Sequence, residues 1–234
     1  MPLLSYLDDG DDFPPSSEAL REPNGLLAAG GCLDADTLLR AYGRGIFPWY
    51  EAPQPILWWT PDPRSVLFPA ELRVSRSLRR RLRRNEYALS VDRCFREVMQ
   101  GCAGPRAGQR GTWIDSAMID AYSALHAAGH AHSIEVHRDG ELVGGLYGVL
   151  LGRVFFGESM FSRASDTSKI ALVALARALG PFAEAMIDCQ VESDHLVSLG
   201  ARPLSRVDFE QRLAQTRCMP TALLNVPPSC GELV

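Results

Sequence analysis

The sequence predicts an α+β fold: a small N-terminal α/β domain over residues 1–65, then a larger domain over residues 66–234 with a mixed, mainly antiparallel sheet. Three observations predict it. Turn-forming clusters punctuate the first 65 residues. An alternating run around Asp139-Gly140 reads as an antiparallel meander, because Asp-Gly is a strong two-residue hairpin signal. Helical periodicity flanks that meander, and a further strand follows the helix after it.

In the N-terminal unit, Phe13-Pro14-Pro15, Glu22-Pro23-Asn24-Gly25, Gly30-Gly31, Phe47-Pro48-Trp49 and Pro61-Asp62-Pro63 supply the turns. Between them, 34–42 reads as a short helix that Asp34 or Asp36 can cap, with Leu38 and Leu39 facing inward. Residues 56–59, Ile-Leu-Trp-Trp, read as a strand. In the larger unit, Val74, Leu78 and Leu82 recur at helical spacing and predict a helix over 75–84. Further helices are expected over 91–99 and 115–128, the latter stopped by Gly129. Strands are expected over 132–137, 141–151 and 153–161. An Ala/Leu-rich helix over 168–179, capped by Asp166 or Thr167, comes next. A strand over 185–191 and a short helix over 194–199, ending at Gly200, complete the order.

Composition narrows the function classes. The 234 residues are 46% apolar and 22% charged, enough to bury a real core. The formal net charge of -4 argues against a general nucleic-acid coat and leaves room for a local basic patch. The six cysteines contain no C-x-x-C, so no zinc ribbon is expected. The acidic first residues show no secretory pattern, and no apolar stretch is long enough to span a membrane. A cytoplasmic protein with reduced thiols is the expectation.

The densest charge feature is Arg73, Arg76, Arg79, Arg80, Arg81, Arg83 and Arg84. With Leu78 and Leu82 turned inward, Arg76, Arg80, Arg83 and Arg84 share the outer face. Guanidinium groups bond phosphate oxygens in pairs, so this face suits phosphate, and a solvated helix face is the plain alternative. Trp58 and Trp59 read as core. Trp49 and Trp113, flanked by turn residues, are better placed to stack on a base. His126, His130 and His132 invite a metal reading, but Gly129 breaks the helix among them and no nearby acid or cysteine completes a set, so no metal is expected. Glu158, alone among aromatic residues and methionines, must be bonded or face a cavity. Leu146, Phe155, Met160 and Met186 are candidates for an apolar pocket. Asp188 and Gln190 fall on one side of a strand end, where they can orient an amine or simply satisfy each other. Cys189, on the other side, reads as an inert small apolar group.

These segments resemble the leucyl/phenylalanyl-tRNA–protein transferase family. The resemblance rests on Glu22-Pro23-Asn24-Gly25-Leu26-Leu27-Ala28 with Gly30-Gly31, Ala41-Tyr42 through Gly45-Ile46-Phe47-Pro48-Trp49, Leu57-Trp58-Trp59-Thr60-Pro61-Asp62-Pro63-Arg64 and Ser75-Arg76-Ser77-Leu78-Arg79. It continues through Gly111-Thr112-Trp113-Ile114, Leu142-Val143-Gly144-Gly145-Leu146-Tyr147-Gly148, Phe156-Gly157-Glu158-Ser159-Met160-Phe161-Ser162, Ser168-Lys169 and Ile187-Asp188-Cys189-Gln190. Together these span about residues 13–210 in one order. Cys32 and Thr60 depart from the family pattern, where Asp and Ser are frequent, and residues after 217 match nothing in it.

The resemblance implies a C-terminal domain of the acetyltransferase superfamily that accepts aminoacyl-tRNA, with no cofactor. It implies transfer of Leu or Phe, with Met tolerated, to proteins whose N-terminus is Arg or Lys, marking them for degradation. Tyr42, Trp49, Trp113 and Glu158 match positions that hold the terminal adenosine. Leu146, Phe155 and Met160 match the amino-acid pocket. Asp188 and Gln190 match positions near the reacting ester and amine. The arginine helix, Arg76, Arg80, Arg83 and Arg84, then fits the acceptor-stem phosphates, and a monomer is expected. Two rivals stand beside this reading. An acyl-CoA-dependent N-acetyltransferase needs a Q/R-x-x-G-x-G/A loop, which does not open the helix at Ser168. A non-catalytic tRNA-binding module accounts for the arginines and tryptophans but needs no convergence of Asp188, Gln190 and Glu158.

Overall fold

The computed structural model describes residues 4–104 and 113–234. The described residues form a four-stranded sheet, order β1-β2-β4-β3, and a seven-stranded sheet, order β11-β5-β10-β9-β8-β7-β6. In chain order the elements are β1 (Ser5–Leu7), β2 (Leu26–Gly30), α1 (Ala35–Tyr42), β3 (Phe47–Pro48), β4 (Leu57–Trp59), β5 (Arg64–Leu67), α2 (Arg76–Arg83), β6 (Ala88–Val91), α3 (Phe95–Ala103) and α4 (Ser116–Ala127). They continue with β7 (Ala131–Arg138), β8 (Glu141–Leu151), β9 (Val154–Ser162), α5 (Thr167–Leu179), β10 (Met186–Gln190), α6 (Asp194–Ser198), β11 (Arg202–Leu204) and α7 (Arg206–Thr216). Within the large sheet only β9 and β10 pair in parallel, so the sheet is mixed and mainly antiparallel, as expected.

The helix starts follow their capping chemistry. Asp34 accepts from the Thr37 N–H at 2.7 Å, Ser75 from Leu78 at 3.1 Å and Asp115 from Met118 at 2.8 Å. Asp166 is a correction: it precedes α5 in a left-handed conformation, φ 65°, without a side-chain capping bond. Its carboxylate instead takes Lys169 Nζ at 2.9 Å. The helix expected over 91–99 also needs correcting. Val91 ends strand β6, and the helix begins only at Phe95, because Ala88–Val91 finds a partner strand in β7. The chain leaves the small sheet at Trp59 and enters the large one at Arg64. Residues Gly111 and Thr112 of the Gly111–Ile114 motif lie outside the described residues.

Two apolar layers cover the large sheet. One contains Leu38 and Tyr42 of α1, Val98 of α3, Tyr122 of α4, Trp58 of the small sheet and Phe209 of α7, against Val66, Tyr147, Phe156 and Met186 of the large sheet. The other contains Leu78 and Leu82 of α2 with Leu172 and Leu175 of α5, against Leu67, Ile134, Leu146, Phe155 and Ile187. The chain end adds Cys230 and Leu233 to this second layer, in a short 3-10 turn, Cys230–Leu233. Trp58 is fully buried, and its indole N–H donates to Gly30 O at 2.9 Å, which settles it as core. No helix among the described residues is long and apolar enough to cross a membrane.

Candidate active site

The site forms where two parallel strands stop pairing. Strands β9 and β10 are joined from Met186↔Val154 to Asp188↔Phe156, and no pairing follows. Each strand carries an irregularity just there. Across β8–β9, Tyr147 faces Ser159 while Gly148 faces Gly157, which leaves Glu158 as an extra, unmatched residue. Across β5–β10, Val66 faces Asp188 while Ser65 faces Gln190, which leaves Cys189 unmatched. Bulges of this kind bend a strand and re-aim its side chains. Gln190 completes the bend in a left-handed conformation, φ 61°.

A cavity of about 210 Å³ opens in this gap. Its apolar wall is Leu146, Phe155, Met160, Leu172, Leu175, Ile187 and Leu196, and Trp113, Glu158, Asp188 and Gln190 lie on its border. The structure therefore gathers the expected pocket residues Leu146, Phe155 and Met160 with the expected polar residues Glu158, Asp188 and Gln190, and adds Trp113. Met186 is a correction: strand alternation turns it into the opposite layer, away from the cavity. Tyr42 and Trp49 are not part of the cavity wall. Tyr42 is fully buried behind Tyr122, and the two hydroxyls form a short hydrogen bond. Trp49 is 44% exposed and leans on Trp59, with ring centroids 5.7 Å apart.

Beneath the cavity lies a continuous polar chain. Arg64 Nε donates to Asp188 Oδ1 at 2.8 Å and Arg64 Nη2 to Asp188 Oδ2 at 2.6 Å, a two-pronged pair with both partners buried. Arg64 Nη1 donates to Gly45 O at 2.9 Å, and the guanidinium lies 4.8 Å from the Phe47 ring centre and 4.7 Å from that of Phe209. Asp188 Oδ1 also accepts the Gln190 N–H at 2.9 Å, which fixes the left-handed turn. Gln190 Nε2 then donates to Glu158 Oε1 at 2.8 Å, and Tyr122 OH donates to Glu158 Oε2 at 3.2 Å.

The electrostatics of this chain are uneven. Burial pushes the Glu158 carboxyl up from 4.5 to about 7. The Tyr42 and Tyr122 hydroxyls oppose that rise, Asp188 adds to it and Arg64 offsets it. Burial, then the Glu158 charge, hold both tyrosines well above their ordinary value, so they act as donors. Burial also raises the Cys189 thiol, helped by the Asp188 charge, which leaves it protonated and supports the inert reading.

Arg64 and Tyr122 were not singled out by sequence reasoning. The only available signal was a lone basic residue opening the apolar run Val66-Leu67-Phe68, matched by a lone acid in Met186-Ile187-Asp188. On α2, Leu78 and Leu82 are buried and Arg76, Arg80, Arg83 and Arg84 are exposed, as expected. Arg84 shares Glu86 with Arg81, at 4.0 and 3.3 Å. The expectation that no acid lies near the histidines needs correcting: His132 Nδ1 is 2.7 Å and His126 Nδ1 3.8 Å from the two oxygens of Asp92, while the His126 ring stacks on Phe95. Among the described residues one triplet has its donor atoms within 4.8 Å of one another: Cys94, Glu135 and His137. Glu135 already accepts the Ser90 and Ser133 hydroxyls and the Arg93 and Cys94 N–H groups just ahead of α3, so its oxygens are taken up by neutral donors.

The family model for leucyl/phenylalanyl-tRNA protein transferase matches residues 66–214, and that for its N-terminal domain matches residues 31–62. The chain belongs to the leucyl/phenylalanyl-tRNA–protein transferase family. Its relatives of that name include one from Nitrosomonas europaea, 58% identical over 93% of this chain and 92% of the relative. Another, from Stutzerimonas stutzeri, is 55% identical over 94% and 98%. The solved structure of L-PGS from Bacillus licheniformis overlaps at TM-score 0.40 and 11% identity, covering 71% of this chain and 53% of that one, too slight a likeness to build on. As a member of the transferase family the chain is an enzyme, an aminoacyltransferase that uses aminoacyl-tRNA and acts on protein N-termini.

Proposed function

We propose that the cavity between β9 and β10 holds the leucyl or phenylalanyl side chain of the charged tRNA, with its ester carbonyl at the polar border formed by Gln190 and Glu158. The observation that carries this reading is the gap itself: an apolar floor and a hydrogen-bonded acid–amide edge meet where the two strands part. The ester is already activated, so the protein's task is to place an amine against a carbonyl, and orientation alone contributes several kcal/mol to such a step. Trp113 and Trp49 stack on the terminal adenosine, Glu158 bonds it, and Tyr42 acts from behind through Tyr122. Asp188 and Gln190 orient the amine. Arg76, Arg80, Arg83 and Arg84 take acceptor-stem phosphates without reading sequence. The acceptor is a protein with N-terminal Arg or Lys, and the added residue marks it for degradation in the cytoplasm. The enzyme works as a monomer without metal. Residues 1–65 act as an N-terminal domain that supplies Tyr42 and Trp49 to a catalytic domain over 66–234, and its last residues, from Arg64, already run in strand β5 of the large sheet.

A purified chain given labelled Leu-tRNA tests this. Label should pass to a peptide beginning with Arg and not to its counterpart beginning with Ala. Equal labelling of both peptides removes the acceptor assignment, and no labelling of either removes the reading. A CoA titration addresses the acetyltransferase rival, for which no binding is expected.

A further inference from the structure

We infer that Glu158, and not Asp188, carries the proton in the transfer step, while the Arg64 fork makes Asp188 a positioning residue. The inference rests on the reading of the cavity given above. Asp188 has little to offer a proton. Each of its oxygens already accepts a guanidinium N–H, Oδ1 accepts the Gln190 N–H as well, and the side chain is wholly buried. Its directed effect is mechanical: it ties down the left-handed backbone of Gln190, whose amide reaches Glu158.

Glu158 differs in the charge of the groups that hold it. It is the unmatched residue of the β9 bulge, and its partners among the described residues are neutral donors: Gln190 on one oxygen, Tyr122 on the other, with the Tyr42 hydroxyl beside Tyr122. Among the described residues no guanidinium bonds to it. The groups that face it are Tyr42 from α1, Tyr122 from α4, Asp188 and Gln190 from β10, and Arg64 from β5. Burial brings its carboxyl to about 7, where it can both take and return a proton at neutral pH. An ordinary carboxylate, near 4, is too weak a base for an α-amine.

The amine nitrogen bonds to the ester carbonyl carbon, giving a tetrahedral centre with an ammonium proton and an oxyanion. That proton passes to the Glu158 carboxylate. The carbon–oxygen bond to the ribose then breaks as the carbonyl re-forms, and the departing ribose oxygen takes the proton back from Glu158. The new amide and a free ribose hydroxyl result, and Glu158 ends as it began.

The test follows kcat against pH with saturating Phe-tRNA and an Arg-initiated peptide. Wild-type protein should show a limb with its midpoint near 7, reflecting ionised Glu158. That midpoint should stay fixed when acceptors of different α-amine pKa are compared, and a midpoint that follows the acceptor amine overturns the inference. Glu158→Gln should lose the limb and lower kcat on the order of 100-fold. A variant that keeps both the limb and a kcat within about threefold of wild type overturns it too. Binding of an adenosine carrying phenylalanine through an amide separates the two levels. If wild-type protein fails to bind it, the cavity reading itself fails. If both proteins bind it and transfer equally, only the proton assignment fails.

Discussion

Arg64 and Asp188 are each a lone charge in an apolar strand, and each is tolerable there because of the other. They lie 124 residues apart in the chain, so no local pattern links them, and sequence reasoning found only the acid. Glu158, Asp188 and Gln190 were legible because each interrupts an apolar run, which buried polar groups rarely do without a partner. Removing one partner of a buried pair strands the other. Arg64→Met should therefore cost about 3–5 kcal/mol in denaturant unfolding, and Arg64→Lys should recover little, since an ammonium cannot reproduce the fork. Glu158 gives a pH signature at the same scale. Its folded value of about 7 exceeds the ordinary 4.5, so the folded protein prefers the protonated form. The stability this contributes is complete below the unfolded value and is lost as pH rises through 7, on the order of 3 kcal/mol. Unfolding measured from pH 5 to 8 should show that loss in wild-type protein and its absence in Glu158→Gln.

The elements that build the site were legible in type but not in detail. The meander over 131–162 follows from its alternation and from Asp139-Gly140, while the bulges that turn it into a site leave almost no sequence trace. A two-residue period puts Glu158 and Met160 on one face, yet the extra residue sends Glu158 to the tyrosines and Met160 to the pocket. Gly148 is the other half of that device, because a Cβ there would meet Phe156 O at 2.0 Å. Gly148→Ala should destabilise the fold by about 1–3 kcal/mol and lower transfer more than donor binding, as read by unfolding and by kcat. Strand β5 escaped notice because a four-residue strand closed in by Pro63 and Pro69 carries too little pattern, and β6 because its strand residues run straight into a helix start. On α2 the amphipathic reading held, since Leu78 and Leu82 alone face inward. Replacing Arg80 or Arg83 by Ala should weaken tRNA binding irrespective of sequence and reduce the salt dependence of log affinity by about one unit each, measured by binding at several ionic strengths.

At the scale of the whole molecule, one sheet separates two tasks. The layer with the small sheet, α1 and α4 holds the Arg64–Asp188 pair and the tyrosines, and the layer with α2 and α5 encloses the pocket and carries the arginines. The gap between β9 and β10 is where the two sides communicate. This division was not visible in the sequence, because it depends on which strands neighbour each other across the whole chain. The most direct measurement is a crystal structure with adenosine bearing phenylalanine through an amide. The phenyl ring should lie among Leu146, Met160, Leu172 and Leu175, with the carbonyl carbon at the Gln190–Glu158 edge. A ring bound elsewhere, with the cavity closed by its own side chains, would contradict it.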